Sequence, residues 1–330
     1  MSTAITVSRD VGLCHLPARF QLARGGVLDG AVVAFEQQGA SDAPVVVVLG
    51  GISAGRHCSA HAALPQRGWW EGLVGDGRAI DTQRFRVLSI DWLGGDGCSS
   101  APSRGAPFPF VATADQANAL RHVLDLLGID TLHTIVGSSY GGMVGLQFAA
   151  HWPDRLRRLV AIAAPARSHP QASAWRAVQR GIVELGLAAG RAADGVALAR
   201  SLAMTTYRTP EELHERFAAA PSFAGEVPHF PVQDWLAARG NAFAERWTAE
   251  RFSCLCNSID GHDVDASRID VDTAVLGFDS DQLVPPSQLC ELAATLPRLV
   301  LHREVRSRYG HDAFLKEPAA VSASLTEVLR

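Results

Sequence analysis

The sequence predicts an α/β protein whose mainly parallel, doubly wound sheet is interrupted by a helical insertion. Three observations support this prediction. Short β-branched runs alternate with amphipathic segments over residues 1–165, strand-like runs are missing from residues 166–270, and the alternation returns over residues 271–330. Alternating strands and helices are typical of parallel sheets covered by helices on both faces. We therefore expect residues 1–165 and 271–330 to form one core and residues 166–270 to form a helical lid inserted into it.

The first part of the predicted core contains a hairpin and several buried strands. Residues 20–22 and 31–35 are strand-like and flank Gly25-Gly26, which predicts an antiparallel edge to the sheet. The run Val45–Leu49 reads VVVVL, a composition typical of a strand buried on both faces of a parallel sheet. Three further strands with this character are predicted at residues 85–90, 134–136 and 159–162.

Helices are predicted from apolar periodicity and from residues typical of helix ends. An amphipathic segment carries leucine and valine at helical spacing from Leu120 to Leu127, and Gly128 follows it as a C-terminal signal. In the lid, Pro210 is placed to begin a helix. After the lid we expect a strand at 273–278, a helix at 286–296, a strand at Leu299–Val305 and a closing helix at 318–329.

Composition and charge exclude several classes of partner. The 330 residues include 30 basic and 34 acidic side chains, and this formal net charge of -4 gives no bulk attraction for nucleic acid or an anionic membrane. No run of 18 apolar residues occurs, so no membrane span is predicted. Residues 1–10 lack the pattern of a signal peptide, and a cytoplasmic location is expected.

Neither the cysteines nor the histidines form a recognisable ligand motif. No C-x-x-C pair occurs, so we expect reduced thiols that act as small apolar residues at Cys14, Cys58, Cys98, Cys254, Cys256 and Cys290. His57 and His61 have the spacing of one helix face, but no third ligand lies nearby in sequence, so both are interpreted as polar surface residues. No metal site is predicted. The glycine-rich stretches at 75–77 and 94–97 lack nucleotide-binding motifs, so no tightly bound cofactor is expected.

Catalytic chemistry is indicated by the motif G-S-S-Y-G at residues 137–141. A predicted strand precedes the motif and a predicted helix at 142–150 follows it, which is the context of a G-x-S-x-G nucleophile elbow. The sharp turn in such an elbow exposes the central hydroxyl, here that of Ser139. Ser138 does not fit, because the second glycine is then at the wrong offset.

A serine nucleophile needs a base, and the base needs an orienting acid. In folds with this elbow the chain order is serine, acid, histidine. Asp281 follows the predicted strand 273–278, and His311 follows the strand Leu299–Val305, so both lie on loops at the carboxyl ends of strands, as Ser139 does. Asp279 and Asp312 are alternative acids. The oxyanion hole is expected to combine the Tyr140 backbone N–H with one from the loop that begins at Gly50-Gly51.

Several long motifs resemble the homoserine O-acyltransferase family, the acetyl- or succinyl-transferring branch of the α/β-hydrolase fold. The resemblance covers nearly the whole chain. It rests on GWWEGLVG from Gly68, SYGGM from Ser139, TYR from Thr206, SID from Ser258, SDQL from Ser280 and YGHDAFL from Tyr309. Together these motifs, in one order, are much more specific than a serine triad alone.

The resemblance implies roles for individual residues. Ser139, Asp281 and His311 correspond to the nucleophile, the orienting acid and the general base, and the acid position favours Asp281 over its alternatives. Arg180 is implied to reach from the lid to the substrate and Asp312 to contact the amine of homoserine. The family also implies acyl-CoA as co-substrate, a homodimer and a place in methionine biosynthesis. The chain departs from the family at Gly50, where a threonine is usual, at Leu187, near an expected lid tyrosine, and in its shorter lid.

The resulting prediction is ping-pong acyl transfer from acetyl-CoA to L-homoserine. A succinyl donor is the first alternative, because Arg56 or Arg104 is a candidate cation for its extra carboxylate. L-serine is an alternative acceptor, since one methylene is worth only about 1–3 kcal/mol of discrimination. A serine esterase or peptidase with the same triad is the alternative of another class. A non-catalytic binding protein fits poorly, because no member of the predicted triad is missing.

Overall fold

The computed structural model describes residues 11–330, so the prediction about a signal peptide at residues 1–10 lies outside the described range. Twelve strands are described: β1 Val11–His15, β2 Arg19–Gln21, β3 Val27–Asp29, β4 Val32–Gln38, β5 Val45–Leu49, β6 Arg86–Ile90, β7 Thr134–Ser138, β8 Arg158–Ile162, β9 Ser222–Ala224, β10 Val227–His229, β11 Asp272–Phe278 and β12 Leu299–Val305. The described residues also form ten α-helices: α1 Thr113–Leu126, α2 Tyr140–His151, α3 Pro170–Ala188, α4 Ala192–Thr206, α5 Pro210–Phe217, α6 Pro231–Ala244, α7 Ala249–Asp260, α8 Pro286–Thr295, α9 Ala313–Lys316 and α10 Pro318–Val328.

Eight of these strands form one central sheet in the order β1-β4-β6-β5-β7-β8-β11-β12. All neighbours from β6 to β12 are parallel, whereas β4 is antiparallel to both β1 and β6. The structure confirms the predicted fold class, a mainly parallel doubly wound sheet. Parallel order brings the carboxyl ends of β5, β7, β11 and β12 to one edge, and the loops that follow these strands carry the predicted site residues.

Both faces of the sheet are covered, as the VVVVL run predicts. Successive strand side chains point to opposite faces, so Val47 and Leu49 of β5 join one apolar cluster and Val46 and Val48 join the other. The first cluster includes residues of α1, α2 and α8, and the second includes residues of α10. Strands β5 and β7 are both buried along their whole length, so packing on two faces fixes their position beneath the loops at their carboxyl ends.

The predicted N-terminal hairpin is wrong in its pairing. The strand around Phe20 pairs with β3, not with residues 31–35, and these two strands form a separate small sheet. Gly30 adopts a positive φ of +60° and turns the chain after β3, so that β4 can enter the central sheet beside β1. Sequence reasoning missed β1 and therefore gave β4 the wrong partner.

Helices α3 to α7 all fall within the predicted lid, between β8 and β11 of the sheet. The expectation that the lid contains no strand is wrong, because β9 and β10 form an exposed antiparallel hairpin there. Within residues 11–330 no helix has both the length and the apolar character required to cross a bilayer. All six cysteines are free, although Cys98 and Cys290 are exposed and do not serve as core residues.

Candidate active site

The nucleophile elbow lies between β7 and α2. Ser139 adopts φ 52° and ψ -120°, a sparsely populated positive-φ conformation that costs a non-glycine residue about 1–3 kcal/mol. Its N–H donates to the Ile162 carbonyl oxygen over 2.8 Å, which helps to hold the turn. A Cβ at Gly137 would lie 2.3 Å from the Gly141 oxygen, and one at Gly141 would lie 2.4 Å from the Leu49 oxygen. The two flanking glycines are therefore required by close backbone packing around the serine.

Ser139, His311 and Asp281 form one hydrogen-bonded relay. The Ser139 Oγ lies 2.8 Å from His311 Nε2, and His311 Nδ1 lies 2.7 Å from Asp281 Oδ2. The second oxygen of Asp281 accepts the N–H groups of Leu283 and Val284 over 2.9 and 3.0 Å. Nucleophile, base and orienting acid are thus within bonding reach in the order that covalent acyl chemistry requires.

The alternative acids have other partners. Asp279 accepts the Ser307 N–H over 2.9 Å, and the Asp312 carboxylate pairs with Arg208 over 2.8 Å. Neither occupies the position beside Nδ1 of His311. The geometry therefore selects Asp281, which the resemblance favoured.

His311 is held as a stronger base than an ordinary histidine. Burial lowers the pKa of its imidazole, but the charge of Asp281 and the hydrogen bond to it outweigh burial, and the net pKa is raised. Asp312 acts in the same direction, whereas Arg176 lowers the pKa. Both of these residues are consequently close enough to influence the base electrostatically.

The predicted oxyanion residues are split between two places. Tyr140 begins α2, and its side chain points away from the site, where its hydroxyl lies 2.7 Å from Ser258 Oγ in full burial. Gly51 lines the cavity in front of Ser139. Gly50 lies behind it and uses its carbonyl oxygen to accept the Gly141 N–H over 2.9 Å. Of the two predicted glycines, Gly51 is therefore the one that lines the cavity.

A cavity of about 230 Å³ opens above Ser139, between the sheet edge and the lid. Its wall is largely apolar and includes Trp69, Met143, Trp175, Phe243, Trp247, Phe252, Leu283 and Phe314. Apolar walls with a few polar groups are usual for small-molecule sites. They also restrict the access of water to an acyl-enzyme.

Arg176, one helical turn before Arg180, is the arginine of α3 that lines this cavity. The two guanidinium groups share one carboxylate, because Arg176 Nε lies 2.6 Å from Asp260 Oδ1 and Arg180 Nη1 lies 2.5 Å from Asp260 Oδ2. This group of two arginines and one aspartate carries a net positive charge, and Arg176 is the member of the group that reaches the cavity. Arg180 itself is not among the residues of the described chain that line the cavity.

Sequence reasoning missed a second cavity cation. Arg200 of α4 stacks over the rings of Tyr207 and Phe243, with its guanidinium carbon 5.3 and 4.8 Å from their centroids. No ion pair to Arg200 is found within residues 11–330. The cations proposed from the sequence are elsewhere, since Arg56 pairs with Asp91 and Arg104 is exposed. Helical spacing from Tyr207 was the available signal for Arg200, but many lid arginines share such spacing.

Comparison with known proteins agrees with this geometry. A profile described as the alpha/beta hydrolase fold matches residues 44–318, most of the chain. Sheet order, elbow and relay therefore define an α/β-hydrolase-fold protein with a serine triad. A homoserine O-succinyltransferase from Xanthomonas campestris pv. campestris is 46% identical over 297 residues, which cover 90% of this chain and 78% of that protein. This chain belongs to the homoserine O-acyltransferase family, as its motifs predicted.

Other relatives in the family carry different names. A homoserine O-acetyltransferase from Clavibacter michiganensis subsp. michiganensis is 34% identical, with 93% of this chain and 90% of that protein covered. A serine O-succinyltransferase from Litchfieldella anticariensis is 32% identical, with 96% and 97% covered. Both the donor and the acceptor therefore differ by name among the relatives of this chain.

Solved structures share the fold at lower sequence identity. Homoserine O-acetyltransferase from Staphylococcus aureus superposes with a TM-score of 0.83 at 24% identity, covering 97% of this chain and 95% of the other. Esterase E22 superposes with a TM-score of 0.86 at 19% identity, covering 97% and 100%. Because transferase and esterase share this architecture, the fold alone does not distinguish acyl transfer from hydrolysis.

Proposed function

We propose that this protein transfers an acyl group from an acyl-CoA to the hydroxyl of L-homoserine through an acyl-serine intermediate. The observation that carries the proposal is the Ser139–His311–Asp281 relay, placed at a cavity that also presents a cation and an anion. An amino-acid acceptor needs both charges. In the proposal, Arg176 receives its carboxylate and Asp312 its ammonium, since both line the cavity and both act on the pKa of His311.

The first half-reaction forms the acyl-enzyme. His311 Nε2 takes the proton of the Ser139 hydroxyl while Oγ attacks the thioester carbonyl carbon of acyl-CoA. The N–H groups of Tyr140 and Gly51 stabilise the resulting oxyanion. When the tetrahedral intermediate collapses, the C–S bond breaks and His311 gives its proton to the leaving thiolate of CoA. Asp281 stabilises the imidazolium in between.

The second half-reaction passes the acyl group to the acceptor. The homoserine hydroxyl gives its proton to His311 as its oxygen attacks the acyl carbon. Collapse breaks the bond to Ser139 Oγ, which recovers the proton from His311, and O-acyl-homoserine leaves. The aromatic wall of the cavity keeps water from competing with homoserine. CoA is a co-substrate in this scheme, and no tightly bound cofactor takes part.

Succinyl-CoA is the donor that we favour, in place of the acetyl donor expected from the sequence. Homoserine contributes one carboxylate, whereas the cavity wall carries two arginines, Arg176 and Arg200. A succinyl group brings the second carboxylate, and we assign it to Arg200, which has aromatic contacts and no carboxylate partner in the described chain. The 46% identical relative is also named a succinyltransferase, while the relative named above as an acetyltransferase is 34% identical.

The reaction class is tested by thiol release from succinyl-CoA and acetyl-CoA, each with homoserine, with serine and without acceptor. We expect release that depends on homoserine. Equal release without an acceptor would instead identify a hydrolase. Ser139→Ala should reduce release at least about 10³-fold, and near-normal turnover would contradict the proposal. Ser138→Ala is the matched control, because its buried hydroxyl has no hydrogen-bond partner among residues 11–330 and its loss leaves the relay intact.

The donor is tested at Arg200. Arg200→Gln is expected to lower kcat/KM for succinyl-CoA at least about tenfold, the value of one charged hydrogen bond, with acetyl-CoA affected much less. Arg176→Gln should raise the KM for homoserine with either donor. Equal losses with both donors in Arg200→Gln would remove the argument for a succinyl carboxylate at that side chain.

We also propose that the protein is a cytoplasmic homodimer joined through the lid. Its thiols are unpaired, as in a reducing compartment. Helices α3 and α4 expose apolar side chains that include Val178, Leu185 and Leu198, and Leu185 is 73% exposed. Leu185→Asp should convert a dimer to a monomer in analytical ultracentrifugation, whereas Glu184→Gln on the same exposed turn should not. A wild-type monomer would contradict this proposal.

A further inference from the structure

A second cluster of polar side chains lies outside the catalytic site, where β4 meets the loop that follows β5. His57 Nδ1 lies 2.7 Å from Glu36 Oε1, and His61 Nε2 lies 3.1 Å from the same oxygen. The three ligand atoms are all within 4.8 Å of one another. The two histidines are thus in a loop and partly buried against a carboxylate, not on an exposed helix face as the sequence suggested.

The Glu36 carboxylate is buried without an ordinary cation. Its residue is 3% exposed, its Oε1 faces only the two imidazole nitrogens, and its Oε2 has no hydrogen-bond partner in the described chain. A buried carboxylate is costly unless a positive group compensates it. Neither lysine nor arginine pairs with Glu36 among residues 11–330, so the compensation must come from protons on the imidazoles or from a bound cation.

The second contact of His57 decides how its ring is protonated. Nε2 lies 2.7 Å from the Gln66 carbonyl oxygen, which only accepts hydrogen bonds, so Nε2 carries the proton of the neutral ring. The lone pair of His57 Nδ1 then points at the Glu36 carboxylate, and Nε2 of His61 faces the same carboxylate oxygen. In a metal-ligating histidine one ring nitrogen usually donates its proton to a backbone carbonyl or a carboxylate, and the other ring nitrogen binds the metal.

We propose that Glu36, His57 and His61 bind a divalent transition-metal ion of the Zn²⁺ class. Two imidazoles and one carboxylate suit Zn²⁺ at about 2.0–2.2 Å per ligand, with a water in the fourth position. Tetrahedral ligands at those distances are about 3.3 Å apart. The two nitrogens lie 2.7 and 3.1 Å from Glu36 Oε1, and all three atoms lie within 4.8 Å of one another, so shifts of about 1 Å or less bring them to the ion. The loop is already shaped for this, because the Glu71 carboxylate accepts the N–H groups of Ala60 and Gly68.

The ion has a structural role in this proposal. The loop with His57 and His61 also supplies Gly51 to the cavity in front of Ser139, and Trp69 follows a few residues later. A metal that joins this loop to β4 ties one wall of the cavity to the central sheet. It binds the folded chain and therefore raises the unfolding temperature, without entering the acyl transfer steps.

The test measures metal binding directly and does not depend on enzyme activity. The full-length chain, freed of metal by dialysis against a chelator, is titrated calorimetrically with ZnCl₂ at about pH 7.5. A Cys98→Ser/Cys290→Ser background removes the exposed thiols, which bind Zn²⁺ themselves. We expect one Zn²⁺ per chain with micromolar or tighter Kd. His57→Gln/His61→Gln should weaken binding at least 100-fold, whereas His214→Gln/His302→Gln, at exposed histidines, should leave Kd within twofold.

Two results would overturn the proposal. One is the absence of stoichiometric Zn²⁺ binding by the parent chain, and the other is unchanged affinity in His57→Gln/His61→Gln. If that variant does not fold, the parent chain alone is titrated with CoCl₂, which absorbs visible light strongly in a four-coordinate site. Visible bands that one equivalent of ZnCl₂ removes support the site, and their absence contradicts it. Glu36→Gln, which keeps the shape and removes the charge, should weaken binding at least tenfold.

Discussion

Replacement of Asp281 by asparagine tests the relay at one atom. Asp281 Oδ1 accepts two backbone N–H groups, from Leu283 and Val284, while Oδ2 accepts from His311 Nδ1 over 2.7 Å. In Asp281→Asn the amide oxygen takes the place of Oδ1, because two donors face it. The NH₂ group then points at His311 Nδ1, which must present its lone pair. The proton of the neutral ring moves to Nε2, and the ring can no longer accept the proton of Ser139.

The expected loss follows from this reversed tautomer. In serine proteases the same substitution lowers kcat about 10⁴-fold with intact geometry, which corresponds to about 5 kcal/mol of lost transition-state stabilisation. We expect a loss of this size in CoA thiol release with saturating homoserine. Asp279→Asn is the matched control, because an asparagine oxygen still accepts the Ser307 N–H. A kcat for Asp281→Asn within tenfold of wild type, in a protein of unchanged melting temperature, would refute the reasoning.

Three further predictions concern protonation and packing. Since the pKa of His311 is raised and its neutral form is the base, kcat/KM should rise with pH through a pKa above the usual 6.5. Asp312→Asn removes a charge that raises this pKa, so the rise in kcat/KM should move to lower pH, and an unshifted pH profile would contradict the prediction. Burial lowers the pKa of His262 to about 4, so the unfolded chain binds more protons than the folded chain between pH 6.5 and 4. Acidification over that range should lower the free energy of unfolding by about 3 kcal/mol in urea titrations, and His262→Gln should remove this pH dependence. Gly141→Ala should destabilise the chain by about 3 kcal/mol or more in thermal melts, because its Cβ would lie 2.4 Å from the Leu49 oxygen. Gly181→Ala is the control in these melts, and it should stabilise the chain by about 0.5–1 kcal/mol because a Cβ at this position of α3 meets free space.

The elbow could be predicted in detail because its constraints are local. Residues 137–141 carry the serine, both flanking glycines and the strand-to-helix junction within one short stretch of chain. The same holds for the VVVVL strand, whose two-sided burial is a property of its own composition. The pairing of β4 could not be predicted from its own residues, because β4 pairs with β1. Strand β1 has weak sequence signals and lies at the edge of the described chain.

The substrate side of the site depends on packing between distant segments. Arg176 and Arg180 are one turn apart on α3, and the position of Asp260 on α7 decides how both are held. No spacing rule in the sequence shows which of the two faces the cavity. The interpretation of His57 and His61 as surface residues failed for the same reason, because Glu36, their buried neighbour, lies on a strand more than 20 residues earlier.

The sequence by itself determined the fold class, the nucleophile and the chain order of its acid and base, since each depends on local composition or on the order of elements around a parallel sheet. The tertiary structure decided which aspartate faces His311, which arginines face the cavity and which carboxylate lies between two histidines. These outcomes depend on the relative positions of loops and helices that are far apart in the chain. Charge recognition acts over a few ångströms, so it is fixed only when packing brings such segments together.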